Sequence, residues 1–386
     1  MTAPLNVGLE ELRTRRSAKW TTFPDDVLPL QVAEMDVHLA PPITAALRVA
    51  VDRSDTGYAG DPTALQHAFT DFAARRWQWN VDSAAVRTCA DVAAGITEVL
   101  RLLTVPGDQV VVTPPVYPPF RSWLQAVGAR PVEVPLLDPG RAGRLDLAGI
   151  EAALTGGVRV VLLCSPHNPT GRVHQPAELH ALAELAAAHG ATVLADEIHA
   201  PLTQPDRRFH PFLSVSDHAA ATGIAFHSAS KAWNLAGLKS ALIVAEDPQQ
   251  QALLTALPHE VPWSVGHLGL LATTAAYKDG EAWLDTLLSA LASNTTLLAG
   301  LLEQHLPRVG FTWPQAGYLA WLDCRALDMG HDPAQVFLDR GRVALSSGTD
   351  FGPGGAGFVR LNLACHPDVL REAVTRLAGA WQQATP

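Results

Sequence analysis

Ser230-Lys231-Ala232-Trp233-Asn234-Leu235-Ala236-Gly237-Leu238-Lys239 follows, after Ala229, on the apolar run Ile224-Ala225-Phe226-His227-Ser228. The run reads as a buried strand, which places Lys231 where such a strand ends. An ordinary ammonium, with a pKa near about 10.4, loses its hydration in that position, and the cost must be offset. A lysine that forms a Schiff base with an aldehyde cofactor no longer carries a free ammonium, which is one way to offset it. A surface lysine at a strand end would show the same local pattern, so the reading turns on what the other strands end in.

Two more apolar runs end in polar groups. Leu194-Ala195-Asp196-Glu197-Ile198-His199 closes one with an acid, and Ser165-Pro166-His167-Asn168-Pro169-Thr170-Gly171 closes another with a turn that presents an amide. Short β-branched runs at 86–89, 109–113, 131–135, 158–164, 191–195, 224–228 and 240–245 alternate with helical patterns at 96–104, 146–154 and 176–189. Such alternation predicts a mainly parallel sheet covered on both faces, whose ligands bind beyond the carboxyl ends of the strands. From 248 onward the pattern turns helical, at 266–277 and 281–302. A smaller mixed segment follows, with strands at 318–324 and 358–363 and a closing helix at 367–382. The expected fold class is α/β. Residues 1–45 form an N-terminal arm and part of a small domain, 46–280 a large domain, and 281–386 a C-terminal small α+β domain.

Composition excludes several chemistries. The chain has 386 residues, 28 basic and 38 acidic, for a net charge of −10. Only Lys19, Lys231, Lys239 and Lys278 are lysines. None follows a glycine, which removes the Walker phosphate loop, and none precedes a threonine, which removes the Lys-Thr-Gly serine enzymes. The acidic balance offers no basic face to nucleic acid. No apolar run is long and clean enough for a membrane span, and Glu10, Glu11, Arg13, Arg15 and Arg16 interrupt any leader-like stretch. Cys89, Cys164, Cys324 and Cys365 lie far apart in apolar surroundings and read as buried free thiols of a cytoplasmic protein. The 15 histidines include no His-Glu-x-x-His, so no metal site is expected. Gly352-Pro353-Gly354-Gly355-Ala356-Gly357 matches a dinucleotide fingerprint literally but leads into an extended segment, and reads as a loop aiming Arg360.

Taken in order, Asn168-Pro-x-Gly, Asp196-x-x-His199 and Ser228-x-x-Lys231, with a second cation at Lys239, resemble the fold-type I pyridoxal-phosphate enzymes of the class I/II aminotransferase superfamily. Further stretches resemble its MalY/PatB branch of cystathionine and cysteine-conjugate β-lyases. They are 16–36 with its RSAKW and VAEMD, Tyr117-Pro118-Pro119-Phe120, Tyr318-Leu319-Ala320-Trp321-Leu322-Asp323 and Val359-Arg360-Leu361-Asn362-Leu363-Ala364. The likeness covers nearly the whole chain.

The resemblance implies pyridoxal 5'-phosphate bound to Lys231 as a Schiff base. It further implies Asp196 on the pyridine nitrogen, Asn168 and His199 at the phenolic oxygen, and Tyr117 stacked on the ring as part of the catalytic set. The phosphate would lie at the start of a helix beginning Gly95-Ile96-Thr97, with Ser228, Ser230 and Lys239 completing the cup and Tyr58 reaching in from the partner of a homodimer. Arg360, with Asn168, would hold the α-carboxylate of a small amino-acid substrate. The reaction implied is carbon–sulfur β-elimination, releasing a thiol, pyruvate and ammonia; the alternative is transamination, which shares every step through proton abstraction. Two departures bear on the substrate: Gln31-Val32-Ala33-Glu34-Met35-Asp36-Val37 stands where the branch has Trp-Val-Ala-Asp-Met-Asp-Phe, and Ala316 and Gly317 where a threonine commonly precedes the tyrosine.

Overall fold

The computed structural model describes residues 4–140 and 143–384. Seven strands build the main sheet: β1 (Val86–Cys89), β2 (Gln109–Val112), β3 (Arg130–Glu133), β4 (Val160–Cys164), β5 (Thr192–Asp196), β6 (Gly223–His227) and β7 (Ala241–Val244). Their spatial order is β1-β7-β6-β5-β4-β2-β3. All run parallel except β7, which is antiparallel to both β1 and β6.

The central strands are apolar throughout because both faces are covered. Every residue of β4 and β6 is buried. The pleat sends alternate side chains to opposite sides. Val161, Leu163, Val193 and Ala195 join a core with Phe69, Phe72, Leu182, Trp233 and Tyr277. Val160, Leu162 and Leu194 join another with Ile96, Val99, Phe120 and Leu124.

A second sheet, ordered Ser346–Ser347, Phe358–Asn362, Leu319–Asp323, Gly310–Phe311, is antiparallel and has its own core. Helices Pro333–Gly341 and Pro367–Ala384 contribute to that core. Helix Glu281–His305 joins the two regions: Trp283, Leu284 and Leu287 enter the large core, while Leu298 and Leu302 enter the small one. Near the N-terminus, Leu28–Pro29 pairs parallel with Val343–Ala344, and the chain then crosses toward the main sheet.

One expected boundary is corrected. The helix after β1 begins at Val92 and runs to Leu103, four residues earlier than the apolar period alone indicates. Asp91 is its N-cap, accepting from the Ala94 amide at 2.8 Å, and a capped start outweighs periodicity in setting where a helix begins. Gly95, Ile96 and Thr97 therefore lie inside the helix. The Gly95 amide donates to Asp91 O at 2.9 Å, Ile96 is fully buried, and Thr97 Oγ1 donates to Ala93 O. None of the three is in the helix's first turn, which begins at Val92 and Ala93.

Candidate active site

The carboxyl edge of the sheet presents the candidate residues in spatial order. Tyr117 follows β2, Asn168 follows β4, Asp196 ends β5, and Lys231 lies in the turn after β6. Strands β4, β5 and β6 are neighbours, with Cys164 in register with Asp196 and Asp196 with Phe226. Ser240 immediately precedes the antiparallel β7 at the same edge, and Asp91 follows β1. Together with Ala33 and His199 these residues line one cavity of about 200 Å³.

Lys231 Nζ donates to the carbonyl oxygen of Ala33 at 3.1 Å, and the Tyr318 hydroxyl donates to that same oxygen at 2.8 Å. Burial, helped by the nearby Arg360 cation, brings the Lys231 pKa down to about 8. The Asp196 carboxyl is buried and accepts from the Ile198 amide at 3.2 Å; desolvation pushes its pKa up to about 7. His199 is buried with Nδ1 lacking a hydrogen-bond partner among the described residues, and desolvation brings its pKa down to about 3, so it is neutral. Tyr117 packs edge-on against Phe120 and Trp123, leaving its ring as a wall of the cavity.

Arg360, on the second sheet, meets Asn168 from the first. Its Nη1 donates to Asn168 Oδ1 at 3.1 Å, while Nη2 donates to Gln31 O at 2.9 Å and to Ser346 Oγ at 3.1 Å. Phe351 lies beneath the guanidinium at 5.1 Å. Burial brings its pKa down to about 10, which keeps it cationic at neutral pH. The loop before it leads into the strand that carries Arg360: the Gly355 carbonyl accepts from the Phe358 amide at 3.0 Å, where that strand starts.

At the other end of the cavity Ser228 Oγ donates to Ser240 O at 2.8 Å and accepts from the Ser230 amide at 3.1 Å. Lys239 adopts a left-handed φ of 58° and its Nζ lies 2.7 Å from Asp91 Oδ2. That turn is seated by close packing: a Cβ on Gly269 would stand 2.2 Å from Leu238 O. Tyr58 is 83% exposed and packs edge-on against Trp263, away from this chain's own cavity.

The chain belongs to the class I and II aminotransferase family. The family match, described as aminotransferase class I and II, spans residues 25–377. Within the family the chain is 46% identical to a protein of Mycobacterium leprae (strain TN), covering 96% of each chain. It is 36% identical to the cystathionine beta-lyase of Corynebacterium glutamicum, over 96% of this chain and 98% of the relative. The crystal structure of cystalysin from Treponema denticola, which contains a pyridoxal 5'-phosphate cofactor, superposes with a TM-score of 0.90 at 26% identity, covering 99% and 98% of the two chains.

Sequence reasoning missed several residues that line this cavity. Asp91 carried a usable signal, since an aspartate just before a helical apolar period is an N-cap pattern. Ser240, whose buried hydroxyl has no partner among the described residues, and the Ala33 carbonyl carried none, because their places in the cavity depend on segments far apart in the chain. Lys19, in the opening segment, is fully buried and pairs with Asp36 at 2.8 Å. Among the described residues no group of His, Cys, Asp or Glu could hold a metal ion, and all four cysteines are free and buried. No helix of the described residues is long and apolar enough to cross a membrane.

Proposed function

We propose that this chain is a pyridoxal-phosphate-dependent carbon–sulfur β-lyase that cleaves cystathionine or cysteine S-conjugates to a thiol, pyruvate and ammonia. The observation that carries the proposal is the row Asn168, Asp196, Lys231 on three adjacent strand ends, with Arg360 brought onto Asn168 from the second sheet. The cavity suits the cofactor. It has an aromatic wall at Tyr117 and a buried acid at Asp196. His199 Nδ1 and the Ser240 hydroxyl line it and are both buried without partners among the described residues, which leaves them for a polar ring substituent and a phosphate.

Lys231 would carry the cofactor, Asp196 would hold a proton at the pyridine nitrogen, and Asn168 and His199 would bond the phenolic oxygen. The first turn at Val92 and Ala93, with Ser228, Ser230, Ser240 and Lys239, would take the phosphate. When bound, pyridoxal phosphate supplies a ring that stores the electron pair left when Cα loses its proton. The chain's own work is positional and acid–base. Arg360 fixes the substrate carboxylate through a planar fork, so that Cα–H faces Lys231. Lys231, with its pKa brought to about 8, is poised near neutral pH to take that proton. Loss of the β-thiolate and addition of water then complete the overall conversion of the amino acid to thiol, pyruvate and ammonia.

Relatives over nearly the full length, among them the C. glutamicum cystathionine beta-lyase, support elimination over amino-group transfer. Incubation with cystathionine tests it. Prompt pyruvate release without any keto acid supports the lyase; activity that requires an added keto acid overturns it.

We further propose a cytoplasmic homodimer in which Tyr58 reaches the partner's phosphate cup. Exposed Val49, Val51, Tyr58 and Trp263 support it, as an apolar surface suited to a second copy. Light scattering gives the mass. Tyr58→Phe should weaken cofactor retention without dissociating the dimer.

A further inference from the structure

Lys239, which the reading above gives to the cofactor's phosphate, already has an anion. Its Nζ stands 2.7 Å from Asp91 Oδ2, while Asp91 Oδ1 caps the helix by accepting from the Ala94 amide. Asp91, Val92, Ala93, Ser228, Lys239 and Ser240 line the same end of the cavity. Donors gather there: the Ser240 hydroxyl is buried with no partner among the described residues, and the first-turn amides of Val92 and Ala93, the latter already turned to the Asp91 carboxylate, lie at the positive end of the helix. A carboxylate set into that cluster opposes a second anion.

The backbone at Lys239 is fixed. Its carbonyl accepts from the Gly266 amide at 2.8 Å, and the preceding Leu238 carbonyl is wedged against Gly266 and Gly269. The ammonium therefore works from a fixed root within reach of Asp91.

We propose that Asp91 is a built-in competitor of the cofactor's phosphate for Lys239. In the empty cup it keeps the lysine paired and in place. In the filled cup its negative charge faces the phosphate across the shared ammonium and loosens it. Cofactor retention in this chain is thereby set by one carboxylate as well as by the phosphate donors. The inference rests on the phosphate position given under the proposed function.

Asp91→Asn removes the charge and keeps a good N-cap acceptor. The apo-protein and this variant are titrated with pyridoxal phosphate and with pyridoxal, which lacks the phosphate, by absorbance, and with inorganic phosphate by calorimetry. The expected result is binding of pyridoxal phosphate and inorganic phosphate about tenfold tighter in the variant, as removal of a like charge near an anion requires, with pyridoxal changed less than about twofold. Unchanged or weaker binding of pyridoxal phosphate overturns the proposal, and so does equal tightening of pyridoxal. Asp91→Ser, which also keeps a capping oxygen, repeats the comparison if thermal unfolding shows that Asp91→Asn does not fold. Lys239→Met separates the two readings. If it leaves the preference for pyridoxal phosphate over pyridoxal intact, the phosphate position itself is wrong, whatever Asp91 does.

Discussion

The Lys231 ammonium is parked on the carbonyl oxygen of Ala33, 3.1 Å away, in a segment nearly two hundred positions earlier in the chain. That segment is held along its length. Gln31 O accepts from Arg360, Val32 O and Glu34 O accept from Asn362 Nδ2, and Met35 exchanges bonds through both its amide and its carbonyl with Asn234. The proposed base, the proposed carboxylate anchor and the turn after the lysine are thus referenced to one strap of backbone.

The parking has a consequence for cofactor uptake. Only the neutral amine of Lys231 attacks an aldehyde, and burial beside Arg360 puts its pKa at about 8. The rate at which apo-protein takes up pyridoxal phosphate should rise about tenfold per pH unit below 8 and level off above it. Stopped-flow absorbance between pH 6 and 10 measures this. A rise that continues to pH 10 would mean an ordinary lysine. Borohydride reduction should leave a phosphopyridoxyl group on Lys231 and on no other lysine.

Arg360 is not exchangeable for lysine. Its two terminal nitrogens already meet Asn168, Gln31 and Ser346, a pattern a single ammonium cannot reproduce. Arg360→Lys should lower kcat/KM for cystathionine about a hundredfold, chiefly through KM, while the cofactor absorbance persists. Steady-state pyruvate assays and a visible spectrum check both halves. A fall confined to kcat would move Arg360 from substrate binding to the chemistry.

The main sheet was legible because strands such as 160–164, Val-Val-Leu-Leu-Cys, are continuous apolar runs that only a two-sided core accommodates. The polar residue ending each run then marked the site. What was not legible depends on long-range placement. The helix start moved to Val92 because Asp91 caps it, and the same Asp91 took Lys239 as a partner across 148 positions. Lys19 showed only as part of a familiar opening segment. Its burial against Asp36 depends on how residues 31–37 fold over it, and nothing local to either residue encodes that.

That buried pair makes a sharp stability test. Lys19 and Asp36 are 0% and 1% exposed, and burial dominates the Asp36 environment, raising its pKa against the pull of Lys19. Removing one partner leaves an uncompensated buried charge. Asp36→Asn should cost about 3–5 kcal/mol in urea unfolding, whereas Lys19→Met combined with Asp36→Leu should recover most of it. The single variant should also raise KM, since Lys19 Nζ additionally donates to Glu34 O in the strap.

Asp196 should trade stability for function. Desolvation raises its pKa from 3.8 to about 7 in the cofactor-free chain. Between those values the folded protein holds a proton that the unfolded chain has released. Raising the pH through that window therefore costs stability, and above pH 7 the full cost is borne. Asp196→Asn removes the titration. At pH 8 the apo-variant should be more stable than wild-type apo-protein by about 2–4 kcal/mol, with the gap closing as the pH falls toward 4. Its lyase activity should drop at least about a thousandfold, because an amide cannot hold the ring nitrogen protonated by charge. Urea unfolding of both apo-proteins at pH 5 and pH 8 isolates the effect. Equal stability gaps at the two pH values would place the Asp196 pKa at an ordinary value, and the buried acid would then need no cationic ligand to settle it.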